Sequence, residues 1–240
     1  MSRDPRGGLS EQLRDFVAAT PVEREPILAF VHEVARTVPA GSTVLDVGAG
    51  DAPYRELFAH TDYTTVDWGQ SLHDGGQGGT DLTASADAIP LPALTADLIM
   101  LTQVLEHVPR PLAVLQEQHR LLRDGGRLVV TVPMTWELHE QPHDYFRYTA
   151  AGLRAVLEQT GFRVLRVTGR GGALESVAQL LRNLSWQLGS RPEDRLDDLR
   201  ADAGPFLRSL ADHLVQMQPL ATADILPLGF QAEAVKVTVP

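Results

Sequence analysis

The chain contains no cysteine. That one absence excludes disulfides, thiolate metal sites and thiol nucleophiles together. Long apolar runs are also missing: no stretch approaches the ~20 residues of a membrane span. The start, MSRDPRGGLSEQLRDF, carries no apolar signal core. Positive charge is scarce, with 21 Lys and Arg against 31 Asp and Glu and a formal net charge of -10. A phosphate-backbone partner needs a basic face, so no nucleic acid is expected. These absences predict a soluble cytoplasmic protein with no membrane partner.

What is present is an ordinary globular composition. The 240 residues, 43% of them hydrophobic, can bury a substantial core as one domain with additions. The densest information lies in Thr43 to Tyr54, TVLDVGAGDAPY. An apolar-rich run reaches Asp46, and Gly48, Ala49 and Gly50 follow. This is the pattern of a buried parallel strand entering a tight glycine turn. Glycine permits a positive φ and lets a ligand approach the backbone.

Periodicity organises the rest. Ser10 caps a helical stretch over 9–38, which Pro21 and Pro26 interrupt. From residue 43 strands and helices alternate. Strands are predicted at 44–47, 63–67, 80–83, 97–101, 127–132 and 162–168, with a last one at 232–239. A short helix fits 53–60. Two longer ones run from Leu112 to Asp124-Gly125-Gly126 and from Thr149 to Gly161. The segment 68–79, WGQSLHDGGQGG, is a glycine-rich loop where a crossover helix is expected. Residues 172–218 break the alternation as helices, with Leu174, Val177, Leu181, Leu184 and Leu188 on one stripe. The fold class is α/β: a doubly wound, seven-stranded, mostly parallel sheet. Its parts are an N-terminal helical cap over 1–40, a core over 41–171 and 228–240, and a helical insert over 172–227.

Asp67 lies 21 residues after Asp46, at the end of the second strand. A carboxylate there can accept hydrogen bonds from ribose hydroxyls. A dinucleotide turn would need a third glycine, but Pro53 stands at that position. Asp51 adds negative charge where a pyrophosphate wants none, whereas an acidic turn suits a cationic sulfonium.

At this point the chain resembles the class I S-adenosylmethionine-dependent methyltransferases, in a branch of small enzymes. D-V-G-A-G at 46–50 is similar to the family's first motif. Asp87-Ala88 within TASADAIPLP resembles its adenine-contacting segment. DLIMLTQVLEH at 97–107 resembles its fourth strand and following turn, and LLRDGGRLVVTVP at 121–133 its fifth strand. HDYFRYT at 143–149 recurs in the same branch. The resemblance implies S-adenosyl-L-methionine as cofactor. It implies that Asp46, Gly48, Ala49 and Gly50 hold its amino-acid end. Asp67 would hold the ribose, Asp87 the adenine amine, and the Ala88 backbone would lie beside it. Thr102 and Gln103 would flank the sulfonium, and Trp68 is placed to stack on the adenine.

His139 to His143 spells H-E-x-x-H, a zinc-protease pattern when both imidazoles share one helical face. Pro142 disfavours helix through it, so no metal is expected. His143, His139 and Tyr145 are the candidates for catalysis, since imidazole titrates near working pH. Glu106-His107 reads as a brace for the turn after a strand. Asp144, Arg147 and Tyr148 suit a plug that docks the loop on the sheet edge. The acceptor pocket would be roofed by the helices up to residue 38, the loop 134–148 and the insert 172–218. A small-molecule substrate follows, and the insert's stripe offers an alternative use as a homodimer face.

Overall fold

The computed structural model describes residues 8–69, 80–189, 197–220 and 225–237. Seven strands form one sheet: β1 Thr43–Val47, β2 Asp62–Asp67, β3 Leu82–Thr83, β4 Ala96–Thr102, β5 Leu122–Pro133, β6 Phe162–Arg170 and β7 Gly229–Lys236. Their order is β3-β2-β1-β4-β5-β7-β6. Neighbours pair in parallel except β7, which runs antiparallel to both β5 and β6. The order reverses between β1 and β4. The segments leaving their carboxyl ends therefore pass to opposite faces of the sheet and open a crevice, the place where open α/β sheets bind ligands.

Six helices complete the described fold: α1 Glu11–Ala19, α2 Pro21–Ala35, α3 Pro111–Leu121, α4 Ala150–Gln159, α5 Ala173–Gly189 and α6 Asp197–Met217. Both faces of the sheet are covered. Val44, Leu98, Met100 and Val129 face α1 and α2, in a core with Leu13, Ile27, Phe30 and Val31. Leu45, Ile99, Leu101, Leu128 and Val130 face the other way, onto Val114 and Leu115 of α3 and Leu153 and Leu157 of α4. Two buried faces explain why these strands read as continuous apolar runs.

Caps follow the sequence. Ser10 Oγ accepts the Leu13 N–H, and Thr149 Oγ1 accepts the Gly152 N–H. Three expectations need correction. Pro21 does interrupt the N-terminal stretch, ending α1 at Ala19 and opening α2 at a position that needs no N–H donor, but Pro26 sits inside α2 without breaking it. The helix expected over 53–60 is a single 3-10 turn, Arg55–Phe58. The leucine stripe of α5 is not its packed face. Val177 and Leu184 are exposed, while Ser176, Ala178, Gln179 and Ser185 are buried. The reason is close approach by hydrogen bonding. Ser185 Oγ donates to the Gly204 carbonyl of α6 at 2.9 Å, and Ser176 Oγ donates to the Leu226 carbonyl at 2.7 Å. Most of the glycine-rich loop 68–79 lies outside the described residues, as does part of the insert.

Candidate functional site

A cleft of ≈ 930 Å³ occupies the crevice. Four strand ends build its floor: Val47 to Asp51 after β1, Asp67 and Trp68 after β2, Ala84 to Asp87 after β3, and Thr102 to Val104 after β4. The turn after β1 is shaped by its glycines. Gly48 has φ 72°, and a Cβ there would lie 2.5 Å from Val104 Cγ2. Only glycine satisfies both constraints. Gly50, at φ 51°, has no atom within 4 Å of an added Cβ, so the backbone is open on that side.

Asp67 is the clasp of this turn. Its Oδ2 accepts the Gly50 N–H at 2.9 Å, and its Oδ1 accepts the Gly69 N–H at 3.3 Å. A carboxylate has about four lone-pair sites, so acceptor capacity toward the cleft remains. Asp87 also lines the cleft, but it is already engaged: Ser85 Oγ and Arg110 Nη2 each donate to it at 2.6 Å. Gln103 sits at φ 56°, held by its N–H on the Thr131 carbonyl and its Nε2 on Thr131 Oγ1, both at 3.0 Å. Thr102 lines the wall beside it.

Two expected cofactor residues are placed elsewhere. Asp46 is 1% exposed and does not line the cleft. Tyr63 Oη donates to its Oδ2, tying β1 to β2, and its Oδ1 has no partner. Burial pushes its carboxyl up to about 6, against the Tyr63 hydrogen bond and Arg55. Alternation along β1 turns Asp46 toward the same side as Val44, away from the glycine turn. Ala88 is exposed, and its N–H is taken by the Ser85 carbonyl at 3.0 Å. The backbone that reaches the cleft wall there is at Ala86.

The loop after β5 divides into a brace and a wall. Arg147 Nη1 and Nη2 donate to Asp144 at 2.5 and 2.8 Å, and Nη2 also donates to the Glu137 carbonyl at 2.6 Å. Burial pushes Asp144 up, but these hydrogen bonds outweigh it and hold the carboxyl at about 2. Tyr148 Oη donates to the Leu105 carbonyl at 3.2 Å, and the Tyr145 N–H to the Glu106 carbonyl at 2.8 Å. The loop is thereby pinned to the 3-10 turn Leu105–His107. The other side chains form the wall. His139, His143 and Tyr145 all line the cleft. The His143 ring meets Trp68 edge-on with centroids 5.0 Å apart, and its Nδ1 is 3.3 Å from Tyr145 Oη. Burial and the neighbouring His107 lower the pKa of His139, against Asp144. Trp68 is 43% exposed, its edge meeting the His143 ring.

Sequence reasoning named the helices up to residue 38 and the loop 134–148 as roof, but not the individual wall residues they supply. Phe16 and Thr20 of the α1–α2 region, with Glu23 and Arg24 of α2, roof the cleft, and His107, Trp136 and Glu140 line it. Periodicity marks Phe16 only as a helix-face residue and does not mark the others, because distant segments bring them together. Trp136 and Thr20 also line a second cavity of ≈ 920 Å³ between α2 and the helices α5 and α6. The two cavities thus share a border.

Comparison with known proteins agrees with this geometry. A family model described as a methyltransferase domain matches residues 22–167. The chain is similar to an uncharacterized methyltransferase of Mycobacterium sp. strain JLS, 34% identical over 123 residues, which are 48% of this chain and 49% of the relative. It is similar to a ubiquinone biosynthesis O-methyltransferase of Psychrobacter cryohalolentis, 31% identical over 150 residues, 57% of this chain and 56% of the relative. The chain thus spans about half the length of these curated relatives. Among solved structures, the [4+2]-cyclase SpnF shares the fold with a TM-score of 0.58 at 20% identity, over 89% of this chain and 81% of that one.

Proposed function

This chain belongs to the methyltransferase-domain family, within the class I S-adenosylmethionine-dependent enzymes, and on that footing we propose that it methylates a small organic acceptor in the cleft described above. Its cofactor is S-adenosylmethionine, which supplies an electrophilic methyl group on a sulfonium. The residues present fit that group. The turn leaves the backbone open at Gly50, Asp67 stands at the cleft edge, and Asp51 and Asp67 make the floor acidic. In this reading the turn receives the amino-acid end, Asp67 the ribose, and Trp68, Ala86 and Asp87 the adenine. Thr102 and Gln103 flank the reacting sulfur.

The observation that carries the acceptor assignment is the shared border of the two cavities at Thr20 and Trp136. An acceptor lying in the second cavity reaches the cofactor cleft past Trp136, between the α1–α2 region, the loop after β5 and α5. The chain's main contribution is then alignment of the acceptor atom and exclusion of water. His143 is the first choice for general base, with His139 and Tyr145 as alternatives, because it abuts Trp68 at the cofactor end. Acidic net charge and a roofed site favour a specialised metabolite, a sugar or a lipid-linked intermediate over nucleic acid. No helix among the described residues is long and apolar enough to cross a membrane. The exposed leucines of α5 support the reading of a homodimer face.

Calorimetry with S-adenosylmethionine and its demethylated product tests the cofactor reading, with Asp67→Ala as control. Saturable binding weakened by the variant supports it, and no binding at high micromolar concentration rejects it. A second reading, cofactor binding without methyl transfer, draws on the likeness to SpnF. Mass-spectrometric detection of a methylated acceptor from the purified protein would remove that second reading.

A further inference from the structure

We propose that Glu106, His107 and His139 form a binding site for a divalent transition-metal cation, Zn²⁺ being the probe of choice, on the acceptor side of the cleft. Each residue offers one ligand atom, and these atoms lie within 4.8 Å of one another. The chemistry of the cluster is unbalanced. Glu106 is completely buried, and neither carboxylate oxygen has a hydrogen-bond partner. A buried carboxylate that accepts no hydrogen bond is costly.

His107 makes the imbalance directional. Its Nδ1 lies 2.8 Å from the His143 carbonyl, which can only accept. The proton therefore sits on Nδ1, and in the neutral ring Nε2 presents a lone pair. That Nε2 is 3.9 Å from Glu106 Oε1. The Glu106 oxygen and the two imidazole nitrogens lie within 4.8 Å of one another, and a cation among them would satisfy all three. Arg147 and the buried Arg170 act on Glu106 through space without hydrogen-bonding to it: Arg147 pairs with Asp144, and Arg170 donates to the Val132 carbonyl while its Nε has no partner among the described residues.

Two imidazoles and one carboxylate make a three-ligand set of the kind that binds Zn²⁺ and leaves a fourth position open. That position faces the cleft, because His107 and His139 both line it. Bonds of about 2.0–2.2 Å require the ligand atoms to draw in to about 3.3 Å of one another. From 3.9 Å for His107 and Glu106 and up to 4.8 Å within the set, this is a movement of about 0.6 to 1.5 Å. Outer partners are also present. The His143 carbonyl holds His107, and the Glu137 carbonyl lies 3.3 Å from His139 Nδ1, outer contacts of the kind that orient metal-ligating imidazoles. This site is not the helical H-E-x-x-H pair. His139 and His143 lie on a non-helical loop, and His143 supplies its backbone rather than its ring.

The test is Zn²⁺ titration of the chelator-stripped, untagged full chain by calorimetry, with Co²⁺ as a visible probe. One equivalent of Zn²⁺ should bind, and Co²⁺ should give a ligand-field band that Zn²⁺ abolishes. Glu106→Gln and His107→Asn should each weaken binding by about 100-fold, and His213→Ala on α6 should not. Glu106→Gln preserves shape, so it decides the matter even where His107→Asn fails to fold. No saturable Zn²⁺ binding, or equal affinity in Glu106→Gln, overturns the proposal. Calorimetry with the demethylated cofactor in the absence of metal keeps this outcome separate from the cofactor reading.

Discussion

Asp67 Oδ2 accepts the backbone N–H of Gly50 at 2.9 Å, so the end of β2 clasps the glycine turn that follows β1. One side chain thus shapes the turn and stands at the edge where a ribose would sit. Asp67→Ala is expected to weaken S-adenosylmethionine binding by roughly 10- to 100-fold, the worth of a charge-assisted hydrogen bond. Asp67→Asn keeps an oxygen for the Gly50 N–H and should fall between the two. Calorimetric dissociation constants for the three proteins check the ranking.

Gly48 and Gly50 are two residues apart, yet they should fail in different ways. Gly48→Ala places a Cβ 2.5 Å from Val104 Cγ2 at φ 72°. The expected cost is about 2–4 kcal/mol, from left-handed backbone and overpacking together. Val104→Ala in the same chain should recover the packing part only. Gly50→Ala meets no atom within 4 Å, so it should cost about 1–2 kcal/mol in stability but interfere with the cofactor. Denaturant melts and calorimetry on the same four proteins separate stability from affinity.

Asp46 predicts a pH-dependent stability. Its folded pKa is raised from 3.8 to about 6 by burial. A raised carboxyl pKa means that the folded state binds the proton more tightly. This group's contribution to stability is therefore fully present below pH 3.8 and lost as pH rises through about 6. Asp46→Asn removes the ionisable group and leaves an oxygen for Tyr63 Oη. The variant should exceed wild type by about 1–3 kcal/mol at pH 8 and by less at pH 5. Thermal unfolding at the two pH values reads the difference, and a constant gap would contradict the buried placement.

Trp136 stands on the border between the two cavities. Trp136→Ala is expected to raise the KM for the acceptor about 10-fold while changing the cofactor dissociation constant little. Equal loss for both ligands would place Trp136 in the cofactor pocket instead.

The strand–turn–strand frame was legible because it depends on local patterns. TVLDV followed by glycines is a strand and a turn wherever the chain goes, and the spacing to Asp67 fits the next parallel strand. The same local logic found both helix caps. It failed where two segments distant in sequence compete for one side chain. Asp46 belongs to the glycine motif by position, but alternation turns it to the other face, where Tyr63 takes it. Ala88 neighbours Asp87, yet its N–H closes a turn on Ser85. The leucines of α5 have the spacing of a core stripe, but the hydrogen bonds of Ser176 and Ser185 select the opposite face.

The sequence by itself determined the sheet, the glycine turn and the acid at its edge, since all three follow from periodicity, backbone freedom and spacing along one strand. Tertiary structure alone decided which residues roof the cleft and which histidines meet. Phe16, His107 and Trp136 come from α1, the turn after β4 and the loop after β5, and His107 meets His139 across 31 intervening positions with ring centroids 4.8 Å apart. Such meetings are set by the burial of both faces of the sheet, which fixes where each loop emerges, and no pattern within a single segment encodes them.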